Sequence, residues 1–448
     1  MAYAIGQLGW SILINIIGTW LVYFYLPPKE AGLPILIMDT AIFVIFNVIG
    51  LVSAVGRLWD AVTDPYIANK SDMANTRWGR RVPFLAVGAL PAAFFCALVF
   101  MPPDSSVSTL NLAWMIGALL LFYLFLTIYV TPYFALIPEL GHNPTERLNI
   151  STYISVTYFL GIAIAAQAPN IWNTLMDEQT LGLSKVAAIQ WTLGILCFFA
   201  LICMYFPVFA INEKKYCESI PSTIPFKESL ILTFKNKSFL VFALSDFAYF
   251  LSLTILQSGL IYYVTILLSK EDKLSGTLFV VMGVFSFILY PIVNLLAKKV
   301  GKKPMVILGL FVFLSVFVFV FFLGFSWMPI PPIVQAYLIV IVAAIPMAIL
   351  GILPNAILAD IAELDGIKTG SKREGLFYAG RTFMQKAGQT IGILIFSSLL
   401  LLGRDAADPM GIRLTGPAAA IFCFLAILFF SKYDEKNTLK EIETSKQK

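Results

Sequence analysis

The chain carries one histidine and five cysteines in 448 residues. A lone histidine, His142, leaves no haem-binding pair and no histidine-based metal cluster. It falls in a short loop and reads as a surface residue. The cysteines, Cys96, Cys197, Cys203, Cys217 and Cys423, show no C-x-x-C spacing. Four lie in apolar runs, where reduced, packed thiols are expected. Charge is also scarce: 13% of the chain is Asp, Glu, Lys or Arg, against about 25% in a soluble domain. The net charge of +5 belongs to loop lysines and arginines and describes no nucleic-acid surface.

Apolar length takes the place of charge, with 59% of residues hydrophobic. A helix needs about 20 apolar residues to cross the hydrocarbon core. Twelve runs qualify: 5–26, 37–66, 83–101, 110–138, 149–170, 186–209, 238–267, 275–297, 304–324, 333–359, 375–402 and 415–432. The fold class is an all-α polytopic membrane protein. No cleavable leader is expected, since Met1 to Trp10 runs straight into the first apolar span. Lysine and arginine set the orientation. One set of connecting segments holds 22 of them and the opposite set 6. Both termini and the central loop are therefore expected in the cytoplasm, with the chain multi-pass in the cell (inner) membrane. The expected organisation is a six-helix half over 1–210, a cytoplasmic central loop over 211–237, a second six-helix half over 238–432 and a cytoplasmic tail over 433–448. Within the central loop, Phe226, Leu230 and Phe234 share a helical face. A short amphipathic helix on the inner leaflet and a plain linker fit equally well.

The rest of the chain is organised around 56–84, GRLWDAVTDPYIANKSDMANTRWGRRVPF. Arg57, Asp60 and Asp64 are three and four apart, so they share one helix face, and Ser53 extends it. Each charge inside a membrane helix costs about 2.5–3.5 kcal/mol, and such residues face a bundle interior or a wet cavity. A structural ion pair with Arg57 uses one aspartate and leaves the other over. Two carboxylates against one guanidinium leave a net negative site for a cation. Pro65 lacks an N–H, so the carbonyl of Ala61 is freed beside them.

The halves echo each other. Gly79-Arg80-Arg81-Val82-Pro83 and Gly301-Lys302-Lys303-Pro304 are 222 positions apart, as are Pro132 and Pro354. Two loops with one offset predict a six-plus-six duplication, the arrangement of parallel halves about the membrane normal.

SDMANTRWGRR resembles the loop signature between the second and third helices of the major facilitator superfamily. GRLWDAVTDP followed by TRWGRRVPF resembles, more narrowly, the glycoside–pentoside–hexuronide:cation symporters, the group of the melibiose permease. The likeness is sharpest over 56–84, with weaker echoes at Thr131–Glu139, Ala359–Asp365 and Arg373–Lys386. It implies the major-facilitator fold, with twelve transmembrane helices in two pseudo-symmetric halves. It implies a cation site at Asp60 and Asp64, completed by Thr63 and by Thr127 on the fourth helix. The family's lysine on the eleventh helix matches Lys386, which with Arg57 balances the empty site. The family's cargo residues map less well: its carboxylates fall at Ser11 and about Val130, a tryptophan at Phe134 and an arginine at Tyr153. A galactoside grip is therefore not expected.

The function expected is secondary transport: cation-coupled symport, with Na⁺ or H⁺, of a small sugar, glycoside or hexuronide by alternating access. All-oxygen ligands suit Na⁺, and a carboxylate pair also takes up a proton. The alternatives are symport of a lysolipid-like or other anionic amphiphile, and an uncoupled facilitator. An enzyme is not expected, since aspartates at i and i+4 on one helix do not face each other across a cleft. No cofactor is expected beyond the coupling ion. The expected partners are membrane lipid and a small-molecule substrate, with no nucleic acid, and the protein is expected to be a monomer. Further cargo candidates are Tyr129, Gln257 and Arg381, with Trp10, Trp59, Tyr123 and Tyr133 as further stacking surfaces. Arg381 and Lys386 either pair with Asp60 or Asp64 or contact cargo. An unneutralised cation there favours an anionic cargo. Asp246, near the inner end of the seventh helix, is expected to snorkel to water. Asp72, Arg80, Arg81, Glu139, Arg147 and Asp360 form loop charge clusters that read either as cytoplasmic gates or as ordinary solvated charge.

Overall fold

The computed structural model describes residues 2–38, 41–42, 46–74, 76–140, 144–178, 180–213, 234–369 and 374–446. Among these described residues, twelve long helices run in sequence: α1 (Ala2–Tyr25), α2 (Val48–Met73), α3 (Val82–Val99), α4 (Thr109–Ala135), α5 (Pro144–Ala166), α6 (Lys185–Ala210), α7 (Lys237–Tyr262), α8 (Lys273–Val300), α9 (Lys302–Phe322), α10 (Pro332–Thr369), α11 (Glu374–Leu399) and α12 (Met410–Ser431). A thirteenth, α13 (Glu435–Lys446), is short and polar. Eleven helices among the described residues are long and apolar enough to cross a membrane. The run carrying Arg57, Asp60 and Asp64, α2, is not among them. Its 26 residues still exceed the length that spans about 30 Å of hydrocarbon at about 1.5 Å per residue.

Four expected spans differ from the structure: besides the second and the fifth, the tenth, expected to end at 359, runs on to Thr369, and the twelfth, expected to begin at 415, begins at Met410. The second span, expected over 37–66, begins as a helix only at Val48. Before it, β1 (Ala41–Ile42) pairs antiparallel with β2 (Phe46–Asn47), in a segment rich in β-branched and aromatic residues. The helix then continues past Pro65 to Met73. The fifth span, expected at 149–170, starts at Pro144 and breaks at Gln167 before a second piece, Ala168–Met176. Pro169 has no N–H to give to the carbonyl of Ala165. The indole N–H of Trp20, on α1, donates to that carbonyl at 2.9 Å instead.

The chain divides into two compact units, Met1–Ser222 with Glu271–Val280, and Thr223–Lys270 with Val281–Lys448. Within the first, α1 packs on α5 and α6, and α3 packs on α4 and α6. Within the second, α7 packs on α11 and α12, and α9 packs on α10 and α12. Adding six to each helix number of the first set gives the second, as a duplicated sequence requires.

The repeat reaches individual atoms. In the first unit, the carboxylate of Glu213 accepts from the backbone N–H groups of Arg80, Arg81 and Val82 at 2.9–3.1 Å, capping α3. In the second, Glu435 accepts from the N–H groups of Lys302 and Lys303 at 2.8 and 2.9 Å, capping α9. The two glutamates are 222 positions apart, the same offset as between Gly79 and Gly301. Both glycines have positive φ, 111° and 100°, which favours glycine. A β-carbon on Gly79 would run into the Glu213 side chain. These carboxylates serve the orphan N–H groups and the positive end of each helix dipole.

The segment expected as a cytoplasmic tail, 433–448, is helical over Glu435–Lys446. The helix α13 lies against α10, with Lys368 Nζ 2.6 Å from Glu441. The amphipathic reading of 226–234 lies almost wholly outside the described residues.

Candidate cation and cargo site

Asp64 is half-buried on α2 and accepts a 2.8 Å hydrogen bond from the hydroxyl of Thr131 on α4. The two helices meet closely two turns away. A β-carbon on Gly56 would stand 2.8 Å from the ring of Tyr123, so only glycine lets α2 approach α4 there. Thr63 is buried, and its hydroxyl donates back to the carbonyl of Trp59 at 3.0 Å. That bond to the preceding turn uses the hydroxyl proton, so toward a cation the oxygen acts as an acceptor. Thr127 is buried one turn before Thr131 on the same helix. The side chains of Arg57, Asp60, Asp72, Glu139 and Arg147 lie outside the described residues, as does His142. Position 60 is on the unbroken α2, one turn before Asp64. The contact shown, a carboxylate sharing the Thr131 hydroxyl, offers oxygen of the kind a hard cation or a proton takes. In the sequence Thr131 stands out only as the first residue of the Thr131–Glu139 stretch. Its spacing of four from Thr127 puts it on the same face, and that spacing is the signal that points to it.

The expected cargo residues divide into packed and accessible ones. Ser11 is fully buried, donates to the carbonyl of Leu8 at 3.0 Å and presses on Gly161. Tyr129 is fully buried, with its hydroxyl on the carbonyl of Met204 at 2.8 Å. Both join helices in this structure and present no free surface. Phe134 and Tyr153 are exposed, at 42% and 45%. Trp10 stands edge-on to Phe134, with centroids 5.8 Å apart, and 5.6 Å from Tyr158. Among the described residues, the indole N–H of Trp10 and the side-chain carbonyl of Gln7, one turn earlier, are buried without a hydrogen-bond partner. Gln7 and Trp10 are buried in this conformation, so their unused donor and acceptor suit a hydroxyl-rich ring only once the packing around them opens. Gln7 is not among the sequence expectations, because nothing local marks a buried glutamine as unsatisfied.

In the second unit, Gln257 and Lys386 are half-buried on α7 and α11. Arg381 is buried, and its partner is Asp246. Nε donates to Oδ2 at 2.9 Å and Nη2 to Oδ1 at 3.3 Å. The expectation that Asp246 snorkels is corrected: its side chain is 3% exposed. The neighbouring α11 brings the guanidinium to it, so it has no need to reach water. At the basic end, Asp360 pairs with Lys302 at 2.5 Å, while the backbone N–H groups of Arg80 and Arg81 hold Glu213.

Among the described residues, twelve long helices in two matching sets of six are the architecture of a membrane transporter of the major-facilitator fold. The chain belongs to the MFS/sugar transport protein family, whose model matches residues 2–407. It is 24% identical over 495 residues to an uncharacterized symporter of Synechocystis, covering 92% of this chain and 88% of that one. It is 22% identical over 410 residues to an isoprimeverose transporter of Lactiplantibacillus pentosus, covering 91% and 80%. It is 24% identical over 469 residues to a putative sulfoquinovose importer of Escherichia coli, covering 100% and 93%. Among solved structures, the nucleoside transporter NupG superposes with TM-score 0.62 at 12% identity, over 97% of this chain and 99% of that one. That likeness is one of fold.

Proposed function

We propose that this protein is a cation-coupled symporter of a sugar-like solute, working by alternating access with both termini in the cytoplasm. The observation that carries the reading is the Asp64 carboxylate held by Thr131 on a helix that also bears Asp60. Carboxylates at this depth cost several kcal/mol as a pair, and a bound Na⁺ or proton offsets that cost. The cation completes a site in which Asp60, Asp64, Thr63 and Thr127 supply oxygen, and Arg57 balances the empty state. The cargo stacks on Trp10 and Phe134, and the unused polar groups of Trp10 and Gln7 meet its hydroxyls. Two of the relatives above are named for isoprimeverose and sulfoquinovose, and both names support a carbohydrate, while another match is named a sodium-dependent lysophosphatidylcholine symporter.

The test is a thermal-stability screen of the purified protein against sugars, glucuronides and lysolipids, each with and without Na⁺ and at two pH values. A ligand that binds the folded state raises the melting temperature in proportion to the logarithm of its excess over Kd. A coupled symporter shows a larger shift with cargo and cation together, since each raises the other's affinity by one factor. A lysolipid hit with no sugar hit contradicts the cargo class, and shifts independent of any cation contradict coupling.

A further inference from the structure

The second unit holds a cavity that neither the cation nor the cargo reading uses. Its volume is about 260 Å³, and it lies between the start of α7, the end of α10 and α13. Lys237 opens one run apolar enough to cross a membrane, and Lys368 closes another. The cavity is therefore at the level where apolar spans end and lipid head groups begin. Its wall carries charges of both signs, from Lys237, Lys368 and Asp365, beside the apolar Ile361 and Leu364. Lys237 is exposed, and neither its ammonium nor the Ser238 hydroxyl has a partner among the described residues. Lys368 is 2.6 Å from Glu441 in a partly exposed pair, which contributes little and leaves ammonium protons for other acceptors. Asp365 is buried, and its Oδ1 accepts from the Asn236 side chain at 3.1 Å. A carboxylate has about four acceptor positions, so it takes a further donor beside that one.

A simple anion suits the two lysines and is repelled by Asp365. A simple cation suits Asp365 and is repelled by the lysines. A zwitterion suits both and leaves the net charge of the cavity unchanged. We propose that this cavity seats the head group of a membrane lipid of the phosphoethanolamine class, with its phosphate on Lys237 and Lys368 and its primary ammonium on Asp365. Ser238 adds a hydroxyl donor to the phosphate, and charge-assisted bonds of this kind are the strong ones. Ile361 and Leu364 meet the glycerol, while the acyl chains stay in the bilayer. A choline head group has no N–H to donate, so it meets Asp365 by charge alone. A phosphoglycerol head group brings no cation at all and sets its phosphate against Asp365. The bound head group joins the start of α7 to the end of α10, so the lipid serves as a clip within the second unit.

The experiment is native mass spectrometry of the purified protein in a maltoside detergent. It is titrated with dihexanoyl phosphatidylethanolamine, with the choline and glycerol lipids of the same chains, and with free phosphoethanolamine. Wild type should bind the ethanolamine lipid about tenfold more tightly than the choline lipid, the scale of one hydrogen bond to a charged group. Asp365→Asn should remove that preference and leave the choline lipid within about twofold. Lys237→Gln/Lys368→Gln should weaken the ethanolamine and choline lipids alike, by about tenfold. Lys237→Gln alone changes an exposed residue and should weaken both in the same direction, so it carries the test even where Asp365→Asn does not fold. Equal binding of the three lipids to wild type, a preference that survives Asp365→Asn, or lysine variants that bind as wild type does overturns the proposal. Free phosphoethanolamine that binds as tightly as its lipid overturns the lipid as the occupant.

Discussion

The hydroxyl of Thr131 donates to Oδ1 of Asp64 across the gap between α4 and α2, at 2.8 Å. It fixes the orientation of a carboxylate that a cation can share. Thr131→Val keeps the shape and removes the bond. We expect Na⁺ affinity to fall about tenfold, the loss of one hydrogen bond to a charged group. The fold should persist. Thr127→Ala should weaken Na⁺ more than H⁺ if the ion is Na⁺, because a proton needs no third oxygen. Sodium titration of the purified variants, followed by tryptophan fluorescence, checks both.

Trp10 offers a buried N–H with no partner among the described residues. Trp10→Phe keeps the ring against Phe134 and Tyr158 and removes only the donor. If the donor meets cargo, affinity falls by about 2- to 12-fold, the range of one neutral hydrogen bond, while the melting temperature without cargo holds or rises. An unchanged cargo affinity assigns Trp10 to packing alone.

Glu213 and Glu435 cap α3 and α9 alike. Glu213→Ala and Glu435→Ala should each destabilise by about 1–2 kcal/mol, the cost of losing a cap. The corresponding Gln variants should lose less, because an acceptor remains without the charge that favours a helix N-terminus. Gly79→Ala should be worse than Glu213→Gln, since it puts a β-carbon at positive φ and into the Glu213 side chain. Denaturation curves in detergent rank the five variants.

The helices are readable because apolar length is a local property, and the duplication is readable because one offset recurs at two loops. What the sequence leaves open is tertiary. Glu213 and the N–H groups it caps lie more than 130 positions apart. Nothing around Glu213 announces a cap, although the shared offset of 222 to Glu435 is there to be read. Asp246 looks like a residue near a helix end, and its partner Arg381 is 135 positions away. Ser11 and Tyr129 sit at positions suited to cargo, yet the close approach of neighbouring helices at Gly161 and Gly6 turns them into packing residues. The start of α2 at Val48 is hidden because a β-branched, apolar run reads the same in a strand as in a buried helix.

The orientation rests on the distribution of lysine and arginine. Reporter fusions after residues 74, 220 and 300 should read cytoplasmic, and a fusion after residue 180 external. An external signal at 220 breaks both the twelve-span arrangement and the six-plus-six repeat.

The central claim is that Asp60 and Asp64 together hold the coupling cation. Asparagine at either position keeps the shape and removes one charge. The direct measurement is uptake into proteoliposomes under imposed Na⁺ and pH gradients, with wild type beside Asp60→Asn and Asp64→Asn, using the cargo found in the ligand screen. Wild type should concentrate the cargo against its gradient. Both variants should lose concentrative uptake and cation-stimulated binding while still exchanging cargo down its gradient, with Asp60→Asn at least as severe as Asp64→Asn. Variants that concentrate the cargo as wild type does contradict the cation site.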